Sequence, residues 1–446
     1  MKQDGVDPLV PSAARGVSQD RIMKFLLAFS GTRGDAEIGV AVGRELMRRG
    51  HDVSMAVSPD LVCFAESAGL KAVAYGQHSQ TIQARDFGIH VYQNFPDALW
   101  SAKDLRRAWR EYREFVSQYW VNTTATLTSL AEGCDLLVTG LLFEDGAANV
   151  AEFHGVPLAT FHYSPVRPNG RMITRLPAPL GRAALTALEW LARAVFGKFE
   201  NEQRRELGLP KVSGPATRRI ADRGALEIQA YEEVCFPGLA AEWAKRSRQR
   251  PFVGTITLEL ATDADEDVES WIAAGTKPIC FAFGSMSVES AVNLIAMISS
   301  ACAQLGERAL ICSGSTDFSG LPHHDHVKVV GLVKYATVFP ACRAVVHHGG
   351  SGTVAAVLRA GVPQLILWSA PDRQMWGAVI KRLAVGTAKR FSSITTESLV
   401  ADLRAVLAPA CAARALEVSA RTTKPGESVV AAADRLEQFA QLNHEK

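Results

Sequence analysis

Short apolar runs alternate along this chain with stretches of helical spacing and with turns rich in Gly and Pro. Ile22 to Phe29 reads as a buried strand; the turn Ser30 to Gly39 follows it, then a helix that stops at Gly50-His51. Val53 to Val57, Ala72 to Ala74, Leu136 to Val138, Pro157 to Phe161 and Leu226 to Ala230 read as further strands. The same grammar restarts in the second half. Pro278 to Phe283, Arg308 to Cys312, Val327 to Val330, Arg343 to His347 and Gln364 to Trp368 are apolar runs, with helices over Val288 to Leu305 and Thr353 to Ala360. This alternation predicts parallel sheets covered by helices on both faces. Two such halves predict an α/β protein of two Rossmann-like, doubly wound domains, 21–240 and 241–425, joined near Pro237 to Arg250. Residues 1–20 read as a flexible leader, and "ATDADEDVES" as a solvated acidic loop. Glu427 to Leu442 carries Val430, Ala433, Leu436, Phe439 and Ala440 on one face, so 426–446 is expected to be a helix that covers an apolar surface.

Two further stretches have helical spacing. Leu105, Trp109, Tyr112, Phe115 and Tyr119 form one, and Leu188, Leu191, Val195 and Phe199 the other, flanked by Arg193, Lys198, Arg204 and Arg205. They read as core-facing helices. The second reading is a wall for a greasy acceptor, or a basic face near a membrane.

Composition narrows the classes. A net charge of +2 over 446 residues gives no case for nucleic acid as a partner. Eight cysteines without C-x-x-C spacing read as reduced core residues, with no structural metal site. His323-His-Asp-His326 follows Pro322 and reads as a solvated loop. No apolar run reaches the ~20 residues of a membrane span, and the first 20 residues lack a signal peptide's apolar core, so a cytoplasmic protein is expected.

The densest signal is "VVHHGGSGTVAAVLRAGVPQLILWSAPDRQMWG", Val345 to Gly377. It reads as strand, Gly-rich turn, helix and strand. A helix opening on Gly349, Gly350 and Gly352 offers free N–H groups and a positive dipole end, where phosphate is the usual guest. Gly350 to Ala355 also fits the dinucleotide fingerprint G-x-G-x-x-A, with Asp372 about 20 residues on. A nicotinamide enzyme, a sugar-nucleotide enzyme and a purely structural turn are all compatible with this stretch alone.

Three motifs together are more specific. "HHGGSGTVAAVLRAGVPQLIL", "FSGTRGDAEIGVAVGRELMRRGHDV" and "FAFGSMS" resemble, in order and spacing, the signatures of GT-B glycosyltransferases of the sterol glucosyltransferase and glycopeptide-antibiotic glycosyltransferase superfamily. "ATFHYSPVRPNG", "LPAPLGRAALTALEWL" and "VVGLVKYATVFPACRAVVHHGG" are similar to the mycobacterial enzymes that glycosylate glycopeptidolipids, which mostly use dTDP-rhamnose or dTDP-6-deoxytalose. The resemblance implies a GT-B fold. Two domains would face a cleft, the first binding acceptor and the second the nucleotide sugar, with a C-terminal helix crossing back to the first.

It also implies roles. Asp35 would be the base, in the loop Gly31, Thr32, Arg33, Gly34. His347, in the family's diphosphate-contacting position, would hold the diphosphate with His348, Gly349, Gly350, Ser351, Gly352 and Thr353. Asp372, Arg373 and Gln374 would meet the donor sugar. Gly284, Ser285, Ser313, Gly314 and Val333 would meet the nucleotide, and His162 and Trp109 the acceptor. The expected co-substrates are a dTDP- or UDP-sugar and an apolar or lipid-linked acceptor, with no cofactor or metal required. A monomer or weak dimer is expected, with peripheral membrane association. Two alternatives are UDP-glucose transfer to a sterol or small molecule and a non-catalytic helper homologue. Two departures stand out. The family's Asp-Gln pair reads Asp372-Arg373, and the Pro of V-E-P is Ile38.

Asp35 has an alternative role as a helix cap. Arg373 has two readings, a salt bridge to Asp372 or a contact with the donor.

Overall fold

The computed structural model describes residues 21–79, 81, 102–173, 176–258, 265–283, 291–313 and 325–444. Two six-stranded parallel sheets organise them. The first contains β1 (Lys24–Phe29), β2 (Asp52–Val57), β3 (Lys71–Ala74), β4 (Leu136–Thr139), β5 (Leu158–His162) and β6 (Leu226–Gln229), in the order β3-β2-β1-β4-β5-β6. The second contains β7 (Ile279–Ala282), β8 (Ala309–Cys312), β9 (Val327–Val330), β10 (Ala344–His347), β11 (Gln364–Trp368) and β12 (Gly386–Arg390). Read from its β9 edge, its order is β9-β8-β7-β10-β11-β12, the same topology. Each order reverses once, between β1 and β4 and between β7 and β10. Ligands of open α/β sheets bind at the carboxyl ends of strands flanking such a reversal.

Central strands are continuously apolar because helices cover both faces. Every residue of β4, β5, β6, β7, β8 and β10 is buried. β12, Gly-Thr-Ala-Lys-Arg, is half-buried throughout and pairs only with β11, so its composition did not announce a strand.

Several boundaries differ from the sequence reading. The helix after β1 begins at Arg33, inside the expected loop, because Asp35 reaches back to the Thr32 amide in a capping box. The acidic stretch is helical over Asp265–Ala273. Three carboxylates in its first turn suit the positive end of the dipole, and Asp265 accepts the Lys334 N–H. In the Ala178–Glu206 helix Phe199 is buried, but Leu188 and Leu191 are exposed, so the core-facing reading fails for those two. In the Ala102–Leu130 helix Val116, Trp120 and Leu127 join the core. The Trp109, Tyr112 and Phe115 side chains lie outside the described residues.

The last helix, Pro425–His444, packs across the first domain. Ala432, Ala433, Leu436 and Ala440 join the core cluster of β1 and β2. Its partner is the Arg33–Arg48 helix and the turn beyond. Arg49 donates to Asp434 at 2.7 Å and Glu437 at 2.6 Å, and His51 meets Glu437 at 2.7 Å. Val430, expected on the covered face, is 42% exposed.

Candidate active site

The first half of the site grows from the end of β1. Gly31 has φ +126°, and a Cβ there would lie 2.4 Å from Asp35 Oδ2, so the chain passes hard against that carboxylate. Asp35 Oδ2 accepts from the Thr32 N–H at 2.7 Å and the Thr32 hydroxyl at 3.0 Å. Leu142, beyond β4, closes the other side of Gly31. Burial pushes the Asp35 carboxyl above its usual range, against the opposing pull of these hydrogen bonds and one from Tyr163.

Tyr163 follows β5 directly and had no role in the sequence reading. Its phenol is pushed well up by burial, then by the charges of Asp35 and Asp372, so it stays protonated and donates to Asp35. Tyr163 therefore feels the charge of an acid from each domain, Asp35 of the first most strongly and Asp372 of the second less so. The Tyr119 phenol, pushed up to about 12 by burial, also feels Asp35.

The second half grows from the end of β10. Gly349, at φ +91°, could not be another residue: a Cβ would lie 2.8 Å from Ile366 Cγ2. The helix Ser351–Ala360 then opens with Gly350 as its N-cap, no side-chain cap and no acid in its first turn. Its leading amides of Ser351, Gly352 and Thr353 face outward on half-buried residues. Such a helix start is a candidate anion site.

The two histidines divide the labour differently from the expectation. His347 is 0% exposed. Its Nε2 meets Gln364 Oε1 at 2.9 Å and its Nδ1 accepts the Gly349 N–H at 3.2 Å. Both ring nitrogens are occupied, so His347 has no donor left for a diphosphate, and neither does the Gly349 amide. His348 is half-buried and its Nδ1 has no protein partner. Burial lowers its pKa to about 3, with the neighbouring Arg373 charge adding to the effect.

Arg373 lies in the first turn of the Pro371–Leu383 helix, and its backbone packs beside Gly349. Its guanidinium donates to the Ser369 hydroxyl at 3.0 Å. Among the described residues no carboxylate pairs with it, so of the two readings the Asp372 salt bridge is not formed. Burial depresses its pKa, with Asp372 opposing. Its guanidinium is thus largely buried near the uncapped start of the Ser351–Ala360 helix. Asp372 and Gln374 are exposed at the same helix start. The dinucleotide fingerprint wants its acid at the end of the following strand; Asp372 sits instead inside the next helix.

Two other expectations change. His162 is fully buried, 3.1 Å from Thr160 Oγ1 and 3.3 Å from Gln229 Nε2, so it cannot touch an acceptor. It belongs to an ionic core in which Arg167 bridges Glu144 and Glu227, and Arg250 meets Glu227 at 2.5 Å. Glu144, His162 and Glu227 approach closely enough to hold a cation, but the arginines already satisfy the carboxylates. The Val333 side chain is packed in the core cluster of Cys280 and Cys312, leaving only its backbone for a ligand. Ser313 is half-buried at the end of β8. Gly284, Ser285, Gly314 and the Trp109 side chain lie outside the described residues.

Comparison with known proteins gives consistent matches. Residues 25–167 match the family described as glycosyltransferase family 28 N-terminal domain, and residues 309–432 the erythromycin biosynthesis protein CIII-like C-terminal domain. An uncharacterized glycosyltransferase of Mycobacterium tuberculosis is 55% identical over 94% of this chain and 99% of its own length. A dTDP-epi-vancosaminyltransferase of Amycolatopsis orientalis is 27% identical, over 89% of this chain and 93% of its own. Among solved structures, the glycosyltransferase VinC in complex with dTDP shares the fold with a TM-score of 0.61 at 19% identity, covering 94% of this chain and 100% of that one.

Proposed function

Because this chain belongs to the glycosyltransferases with a family 28 N-terminal domain and an erythromycin CIII-like C-terminal domain, we propose that it is an inverting, metal-independent enzyme that moves a hexose or deoxyhexose, rhamnose or 6-deoxytalose, from a dTDP- or UDP-sugar to a hydroxyl of a lipid-linked, glycopeptidolipid-type acceptor. One observation carries this reading. An uncapped helix start with His348 and Arg373 beside it is combined with a buried acid, Asp35, and Tyr163 feels the charges of both Asp35 and Asp372. A phosphate cradle opposite a base is what displacement at an anomeric carbon requires.

In this mechanism the acceptor oxygen bonds to the anomeric carbon as its proton passes to the Asp35 carboxylate. The bond from that carbon to the diphosphate oxygen breaks, and its electron pair goes to the nucleoside diphosphate. The amides of Ser351, Gly352 and Thr353, the His348 N–H and the Arg373 guanidinium receive the growing charge. One direct displacement inverts the anomeric centre. The dTDP named for the VinC complex and for the vancosaminyl enzyme supports a thymidine donor.

The reading is tested by thermal shift with dTDP, UDP, GDP and NADH. A nucleoside diphosphate at 100 times its Kd should stabilise the fold by about 2.7 kcal/mol. Stabilisation by NADH alone would replace this reading with a dehydrogenase.

Arg373 carries the expectation about the sugar. It has donors only, so it cannot accept a sugar hydroxyl as the family's Gln can. A 6-deoxysugar asks for one polar partner fewer. Arg373→Gln is expected to lower kcat/KM for dTDP-rhamnose and raise it for UDP-glucose, shifting their ratio by about tenfold or more, the scale of one charged hydrogen bond. An unchanged ratio would show that Arg373 serves phosphate alone.

Tyr163→Phe tests the contact between Tyr163 and the base. Losing a donor to the carboxylate should move the acid limb of the pH–rate profile up by roughly one unit, since one unit is ~1.4 kcal/mol. A profile identical to wild type would leave Tyr163 as packing.

A further inference from the structure

The Ala178–Glu206 helix carries a face that its own fold leaves uncovered. Leu180, Leu188 and Leu191 are 58%, 58% and 61% exposed, and Ala184 and Ala187 between them are exposed as well. With 3.6 residues per turn these five fall on one side of the helix, in a stripe about 16 Å long. Contiguous apolar surface of this kind on a helix marks a contact site. Trp190, on the flank of the stripe, is itself half exposed, with the Arg218 guanidinium 5.8 Å from its ring. An aromatic ring with one polar neighbour at such an edge suits a membrane interface.

The same side of the helix turns cationic toward its C-terminus. Lys198 and Arg205 continue the line of the leucines, and with Lys211 they border a groove of about 660 Å³. The Lys198 side chain is 69% exposed and its ammonium is 3.8 Å from Glu202, a weak surface pair. Among the described residues Arg205 and Lys211 form no ion pair. One continuous surface is thus apolar for its first turns and charged for its last, where Lys198, Arg205 and Lys211 outnumber Glu202 and Glu206. No helix among the described residues is long and apolar enough to cross a membrane, so this surface would lie on a bilayer rather than span one.

We propose that this face docks the protein on an anionic phospholipid bilayer, the leucine stripe resting at the acyl boundary and Lys198, Arg205 and Lys211 against lipid phosphates. The apolar stripe with an excess of three cations over Glu202 and Glu206 favours an anionic bilayer over a second copy, whose matching face would bring the same excess of positive charge. Apolar burial and surface charge add in such binding, each basic residue giving roughly fivefold on an anionic membrane. The inference is independent of which sugar is transferred.

The test is co-sedimentation of the full chain with vesicles of phosphatidylcholine containing 30% phosphatidylglycerol, compared with phosphatidylcholine alone. Wild type should partition at least tenfold more strongly to the anionic vesicles at low salt. Leu188→Glu with Leu191→Glu should abolish partitioning. Lys198→Glu with Arg205→Glu should remove the preference for phosphatidylglycerol. All four residues are surface-facing, so melting temperatures and the thermal shift with dTDP should match wild type. If the leucine pair melts early, Leu180→Gln alone should still weaken vesicle binding severalfold. Failure of wild type to sediment with either vesicle overturns the proposal, as does sedimentation unaffected by the substitutions. A wild-type dimer, seen by light scattering, that Leu188→Glu dissociates without any vesicle binding assigns the face to a second copy and overturns it equally.

Discussion

Asp35→Asn is expected to lower turnover by about 10² or more while donor binding stays near wild type. The asparagine oxygen can still accept the Thr32 N–H that fixes the start of the helix, which Asp35 accepts at 2.7 Å. What it cannot do is take the acceptor's proton. The pH dependence follows from burial. The folded carboxyl sits above its ordinary value, and the active form is the carboxylate. The rate should therefore fall as pH drops through that raised pKa, at higher pH than a solvated aspartate would give. Stability runs the opposite way. A raised carboxyl pKa means the folded state binds the proton more tightly than the unfolded one. Its stabilising effect is complete below the unfolded pKa and is lost as pH rises through the folded pKa. At neutral pH the wild type therefore pays for a buried charge that Asp35→Asn lacks, so the variant should melt no lower than wild type and slightly higher. A variant with normal turnover would reduce Asp35 to a cap.

The sheets were legible because strands covered on both faces must be apolar throughout, and those runs are easily found. β12 was not, because an edge strand such as Gly386–Arg390 can be polar. The structure moves two of the site expectations by one residue, from His162 to Tyr163 and from His347 to His348, and both moves share a cause. Along a strand, neighbours point to opposite faces, and in a doubly covered sheet both faces are interior. A side chain within the strand is therefore buried whichever way it points; only the residue beyond the last rung reaches the cleft. His162 ends β5 and is interior, whereas Tyr163 follows it and reaches Asp35. His347 ends β10 and is interior, whereas His348 follows it. A sequence shows a pair of candidates at such a place and not the rung on which the strand stops. The exposed leucines failed for another reason. Helical periodicity identifies an apolar face, but a face on Leu188 and Leu191 looks the same whether a core or a membrane receives it.

The two histidines should separate cleanly in the laboratory. His348→Ala is expected to cut turnover by about 10²–10³, as loss of one donor to a developing oxyanion does, with melting lowered far less than by His347→Ala. The His348 Nδ1 has no protein partner, so truncation gives up only the ring's bond with the Ala282 backbone. His347→Ala should do the reverse. It leaves the Gly349 N–H and the Gln364 carbonyl without their partner in a fully buried place, and Gln364 Nε2 already has none. Orphaned buried polar groups cost about 1–3 kcal/mol each, so destabilisation of roughly 2–4 kcal/mol is expected. Burial pushes the His347 pKa down to about 4 and that of His348 to about 3, so both are neutral at pH 7. Their depressed values mean the fold favours the uncharged rings; that stability is present above the unfolded pKa and is lost as pH falls through the folded pKa. Acid below about pH 5 should therefore unfold wild type more readily than a His347→Gln variant, which keeps a hydrogen-bonding group without a titrating one. Urea melts and steady-state rates on the two alanine variants decide the assignment. Should His347→Ala fold normally and lose turnover while His348→Ala stays active, the imidazole that meets the diphosphate is His347, and its ring must leave Gln364 when the donor binds.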